Sequence, residues 1–91
     1  MSGSEIEKIA RETAERYNRY RSPEAIINVL SVENSVIEVV LSGSFCRSCG
    51  VYDWIEDYKY ELIDLTGRQV DIIEVEQIDD ESYKVKFRIH L

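Results

Sequence analysis

The sequence predicts an α+β fold: a two-layer sandwich in the order α-β-β-α-β-β, with a mixed four-stranded sheet and two helices on one face. Three observations carry this. Apolar residues recur at helical spacing in two separate stretches. Each stretch is followed by a pair of Val- and Ile-rich runs divided by a turn cluster. The last run, residues 83–90, alternates strictly between apolar and charged side chains.

The first helix is expected over about residues 4–20. Ser4 followed by Glu7 fits a capping box. Ile6, Ile9, Ala10, Ala14 and Tyr17 share one face. Ser22-Pro23 ends it, because the residue before proline avoids the α region. Residues 25–32 read as a strand, Glu33-Asn34-Ser35 as a turn, and residues 36–42 as a second strand, antiparallel to the first because the connection is short. A loop over residues 43–50 follows. The second helix, about residues 50–65, carries Val51, Trp54, Ile55, Tyr58, Leu62 and Leu65 on one stripe and stops at Thr66-Gly67. Residues 70–78 form a third strand, Asp79-Asp80-Glu81-Ser82 a turn, and residues 83–90 a fourth strand, with Tyr83, Val85, Phe87 and Ile89 on one side and Lys84, Lys86, Arg88 and His90 on the other. The second and third strands should run parallel if they share a sheet.

Residues 1–91 therefore read as one domain with one modest core and no room for a deep cleft and a lid. There is no internal sequence repeat, linker or low-complexity tract. Eleven Lys and Arg against eighteen Asp and Glu give a net charge of −7. Residues 1–21 hold five basic and four acidic residues, so the excess lies in the remainder. An acidic body repels phosphate backbones, which argues against nucleic-acid binding. No apolar run is long enough to cross a bilayer, and the N-terminus lacks a signal-peptide stretch. A cytoplasmic location without membrane attachment is expected, where the two cysteines stay reduced unless they are catalytic or bind metal.

Those cysteines form the one chemical motif, Cys46-Arg47-Ser48-Cys49, between the end of a strand and the start of a helix. The unsatisfied N–H groups of a helix first turn stabilise thiolates placed there. Arg47 adds positive charge, and Gly43 and Gly50 shape the loop on either side. Such a pair can bind metal, hold a cluster or exchange disulfides. Two sulfurs do not complete a zinc or four-iron site, and the only histidine, His90, falls on the charged face of the last strand. Two copies of the chain, each giving one pair across a two-fold axis, would supply four. The acidic face of the second helix, Asp53, Glu56, Asp57, Glu61 and Asp64, reads as solvated surface, and so do the charges of the first helix. No catalytic residue is indicated.

The stretch Leu41-Ser42-Gly43-Ser44-Phe45-Cys46-Arg47-Ser48-Cys49 resembles the C-terminal domain of NifU-type iron–sulfur scaffold proteins. That family has a hydrophobic strand, a Gly-small-Cys-x-x-Cys loop, an amphipathic helix and a Val-rich strand. Here the last is similar to Val70-Asp71-Ile72-Ile73-Glu74-Val75-Glu76, so the resemblance spans roughly residues 25–77 in element order. The loop has one more residue, Phe45, before Cys46, and Gly50 stands where the family usually has proline. The resemblance implies that Cys46 and Cys49 ligate an iron–sulfur cluster shared in a homodimer. It also implies assembly or delivery of that cluster to apo iron–sulfur proteins, with assembly machinery as partners. A thiol–disulfide oxidoreductase, and an interaction domain binding zinc or nothing through the same cysteines, are the alternatives.

Overall fold

A computed structural model describes residues 2–44 and 50–91. Six elements follow the expected order: α1 (Gly3–Arg21), β1 (Ile26–Glu33), β2 (Val36–Ser42), α2 (Val51–Thr66), β3 (Val70–Asp79) and β4 (Ser82–Ile89). α1 starts two residues earlier than the Ser4–Glu7 pair suggests. The capping pair is instead Ser2 and Glu5: the Ser2 hydroxyl accepts from the Glu5 N–H at 3.2 Å, and the Ile6 N–H donates to the Ser2 carbonyl. Both pairs fit the same pattern, and the earlier one lengthens the helix.

The four strands form one sheet in the order β1-β2-β4-β3. Every neighbouring pair is antiparallel, so the sheet is not mixed as the crossover suggested. β2 and β3 do run parallel to one another, but β4 lies between them and pairs with both. β4 is thus central to the sheet.

Although the sequence shows no repeat, the topology is two αββ units, α1-β1-β2 and α2-β3-β4. A pseudo-two-fold axis passes between Val39 and Val85, the middle pair of the β2–β4 register. The two-residue turns correspond across it. The Ser35 carbonyl accepts from the Ile89 N–H at 2.9 Å, and the Glu81 carbonyl from the Gly43 N–H at 3.3 Å. Repetition of backbone without repetition of residues is possible because each half needs only the same apolar periodicity.

Both helices pack on one face. The core joins Ile6, Ala10, Ala14 and Tyr17 of α1 and Ile55, Tyr58 and Leu62 of α2 to Ile27, Ile37, Val39, Leu41, Val70, Val85, Phe87 and Ile89 of the sheet. Leu65, expected on the α2 stripe, is exposed, three residues past Leu62, the last buried residue of α2. Two buried tyrosines tie the helices reciprocally: the Tyr17 hydroxyl donates to the Trp54 carbonyl at 2.9 Å, and the Tyr58 hydroxyl to the Ala10 carbonyl at 2.8 Å. Tyr58 also meets Tyr17 edge-on and packs against Phe87.

Charge completes the helix pair, contrary to the solvated-face expectation. Glu61 takes Arg16 Nε at 2.9 Å and an Arg21 terminal nitrogen at 2.7 Å, with its side chain only 12% exposed. Asp64 and Asp57 add weaker contacts to the same arginines. The Arg21 guanidinium also lies 4.3 Å from the Tyr17 ring centre.

The sheet's two edges are blunted. On β1, the Asn18 carboxamide mimics a neighbouring strand: Nδ2 donates to the Ile27 carbonyl at 2.9 Å and Oδ1 accepts from the Ile27 N–H at 2.7 Å. Bulges follow, one in β1 between Val29 and Ser31 and two in β3. Filled or kinked edges do not template another strand.

Candidate functional site: the β2–α2 junction

The thiol motif joins the end of β2 to the start of α2, at the sheet end where Ser42 pairs with Ser82. Cys46, Arg47 and Cys49 lie outside the described residues. The frame that holds them is described on both sides.

On the β2 side stands Gly43, at φ +138°. A Cβ there would come 2.3 Å from the Glu24 carbonyl oxygen and 2.9 Å from its carbon, and backbone cannot yield that far. The segment before β1 therefore passes directly under the start of the loop, and only glycine fits. The Gly43 N–H is fixed on the other side by the Glu81 carbonyl in the β3–β4 turn. That turn is held in part by the Asp79 carboxylate, which accepts from the Glu81 N–H at 2.9 Å.

On the α2 side stands Gly50, the N-cap, at φ +97°. It brings no side chain to the first turn, and among the described residues no side-chain oxygen caps α2. Asp53, in that turn, donates its N–H to the Gly50 carbonyl at 3.2 Å. Its carboxylate Oδ2 would lie 3.4 Å from a Cβ built on Gly50.

Gly43 and Gly50, named from the sequence as loop-shaping residues, both have positive φ. Sequence reasoning missed their partners. Glu24 and Glu81 act through backbone carbonyls, which no side-chain motif reveals. Asp53 was legible as an acid but not as the charge facing the loop's exit. It meets the partial positive charge of the helix start.

His90 does not join this site. It follows β4, eight residues beyond Ser82, roughly 26 Å away at the rise of an antiparallel strand. There its Nε2 contacts the Asp71 carboxylate. Among the described residues no group of three His, Cys, Asp or Glu side chains could hold a metal ion. A four-ligand site built on Cys46 and Cys49 therefore draws nothing from this histidine.

In comparison with known proteins, the chain matches no family model, no curated protein and no solved structure. Among the described residues, no helix is long and apolar enough to cross a membrane.

Proposed function

We propose that this chain is an iron–sulfur cluster scaffold or carrier, with the cluster as cargo held by Cys46 and Cys49 and completed by the same pair from a second copy. It is a binding module and not a catalyst. The observation that supports the reading is the glycine frame. The six residues between Gly43 and Gly50, which include both cysteines, are flanked by two backbone positions of positive φ, one of them clamped against Glu24. Such a frame fixes the ends of a ligand loop at the rim of the sheet.

Two features favour ligation over disulfide exchange. Asp53 sits at the helix start, and Asp79 flanks the turn that fixes Gly43. Negative charge there attracts iron or another cation and disfavours a bare thiolate. The distance of His90 leaves a second chain as the direct source of further strong ligands. The blunted edges of β1 and β3 make strand addition a poor route to that pairing.

The test is reconstitution without oxygen, using ferrous iron and sulfide. A brown protein with one cluster per two chains is expected, and its visible absorbance is lost in Cys46→Ala and in Cys49→Ala. Colourless protein that remains folded overturns the proposal. Zinc bound at one ion per two chains, with no cluster, would select the zinc-binding interaction domain. A reversible Cys46–Cys49 disulfide poised near the cytosolic thiol pool, with neither metal, would select the oxidoreductase.

A further inference from the structure

The sheet face away from the helices carries a regular pattern of charge. β4 contributes Lys84, Lys86 and Arg88 in its middle. The neighbouring strands contribute acids: Glu38 on β2, and Asp71, Glu74 and Glu76 on β3. Most of these cations are answered. Lys84 meets Glu76 at 3.2 Å, Lys86 lies 3.8 Å from both Glu38 and Glu74, and His90 holds Asp71. A face this polar does not pack on an apolar surface.

Arg88 is the exception. It stands opposite Asp71 in the register, but His90 engages that carboxylate. Among the described residues Arg88 has no ion pair, and neither does Glu33. The two are on one cross-strand row, Glu33–Val36–Arg88, which places them two strand spacings apart, roughly 10 Å between Cα atoms. Between them the short Val36 side chain forms the floor of a depression of about 360 Å³. Ser31, Glu38 and Lys86 line it from the next cross-strand row, and Asn34 lines it from the β1–β2 turn.

We infer that this depression binds a small zwitterion of amino-acid type, one carboxylate and one ammonium. Arg88, with Lys86 beside it, receives the carboxylate, and a guanidinium suits it through paired N–H donors. Glu33 and Glu38 receive the ammonium. Ser31 and Asn34 offer further hydrogen bonds. A simple anion of the same size meets two carboxylates in a chain of net charge −7. A simple cation meets Arg88 and Lys86. Only a ligand carrying both charges satisfies both walls. The size of the depression suits a molecule of this kind, at the small end of ligand pockets.

The site is independent of the thiol motif. Ser42 and Arg88 stand at opposite ends of the β2–β4 ladder, roughly 20 Å apart.

The test is a titration of the full chain with glycine, β-alanine and γ-aminobutyrate, followed by amide and arginine side-chain NMR. Acetate and methylammonium serve as the single-charge controls. Saturable shifts confined to Ser31, Asn34, Val36 and the Arg88 Nε–H are expected for at least one zwitterion. Arg88→Gln and Glu33→Gln should each weaken that binding about tenfold or more, since each removes a charge-assisted contact. Both residues are exposed, so an unchanged thermal melt separates loss of binding from loss of fold. Equal response to acetate alone overturns the inference in favour of an anion site. Shifts that grow linearly and spread over all the lysines and arginines also overturn it, as ionic screening.

Discussion

Replacing Gly43 by alanine tests how the thiol loop is held. A Cβ at this position would lie 2.3 Å from the Glu24 carbonyl oxygen, 2.9 Å from the Glu24 carbonyl carbon and 3.1 Å from Ala25 Cα. All three are backbone atoms, and the first two distances are shorter than real Cβ contacts. The residue also sits at φ +138°, where an L side chain is strained by about 1–3 kcal/mol. Forcing the chain apart adds about 1–3 kcal/mol of overpacking. The total is about 2–6 kcal/mol. Gly50→Ala supplies the internal reference. Its φ of +97° brings comparable strain, but the nearest atom to its Cβ is Asp53 Oδ2 at 3.4 Å, an ordinary contact on a movable side chain. Its cost should stay at about 1–3 kcal/mol. Urea unfolding followed by circular dichroism measures both. For a domain of this size each kcal/mol lowers Tm by about 4–8 °C, so the two variants should separate clearly in a melt. If Gly43→Ala proves no more destabilising than Gly50→Ala, the close passage of Glu24 beneath the loop is wrong, and the frame argument fails with it.

Asn18→Ala removes both hydrogen bonds to Ile27 and should cost about 1–3 kcal/mol, with faster hydrogen exchange at the Ile27 amide and more self-association by light scattering. Tyr58→Phe should cost only about 1 kcal/mol in chemical denaturation, because the Ala10 carbonyl lies within α1 and keeps its helical partner. Glu61→Gln weakens the contacts to Arg16 and Arg21 and should destabilise by about 1–2 kcal/mol at low salt, with a smaller difference at high salt. Burial pushes the Tyr17 and Tyr58 hydroxyls well above the ordinary tyrosine range. Above about pH 10 the unfolded chain releases these protons while the folded chain keeps them, so stability falls as pH rises. The Tyr17→Phe, Tyr58→Phe double variant should show a shallower alkaline loss, read from denaturant midpoints across that range.

Much of the fold was legible because periodicity is local. Ile6, Ala10, Ala14 and Tyr17 recur at helical spacing, and Tyr83 to Ile89 alternate, so the helices and the last strand declared a buried face before any partner was known. The first cap was misplaced because Ser2-x-x-Glu5 and Ser4-x-x-Glu7 satisfy the same rule. On the acidic face of α2, Glu61 was misread for a different reason. Glu61 looks like any exposed acid until α1 is laid beside it and Arg16 and Arg21 arrive from far along the chain. At the candidate site, Gly43 and Gly50 were visible as punctuation, whereas the clamp on Gly43 was not, since it consists of carbonyls.

By itself the sequence determined the order of elements, most of the residues by which the helices and β4 enter the core, and the position of the thiol pair between a strand and a helix. These follow from residue type and spacing, which act over a few positions. Tertiary structure alone decided that β4 inserts between β2 and β3, that the chain closes as two αββ halves, and that His90 stands a sheet's length from the end of β2 that leads into the thiol loop. It also set Glu33 and Arg88 facing each other across Val36. Those outcomes depend on which strands pair and in what register, and pairing partners are chosen by packing between residues distant in the chain.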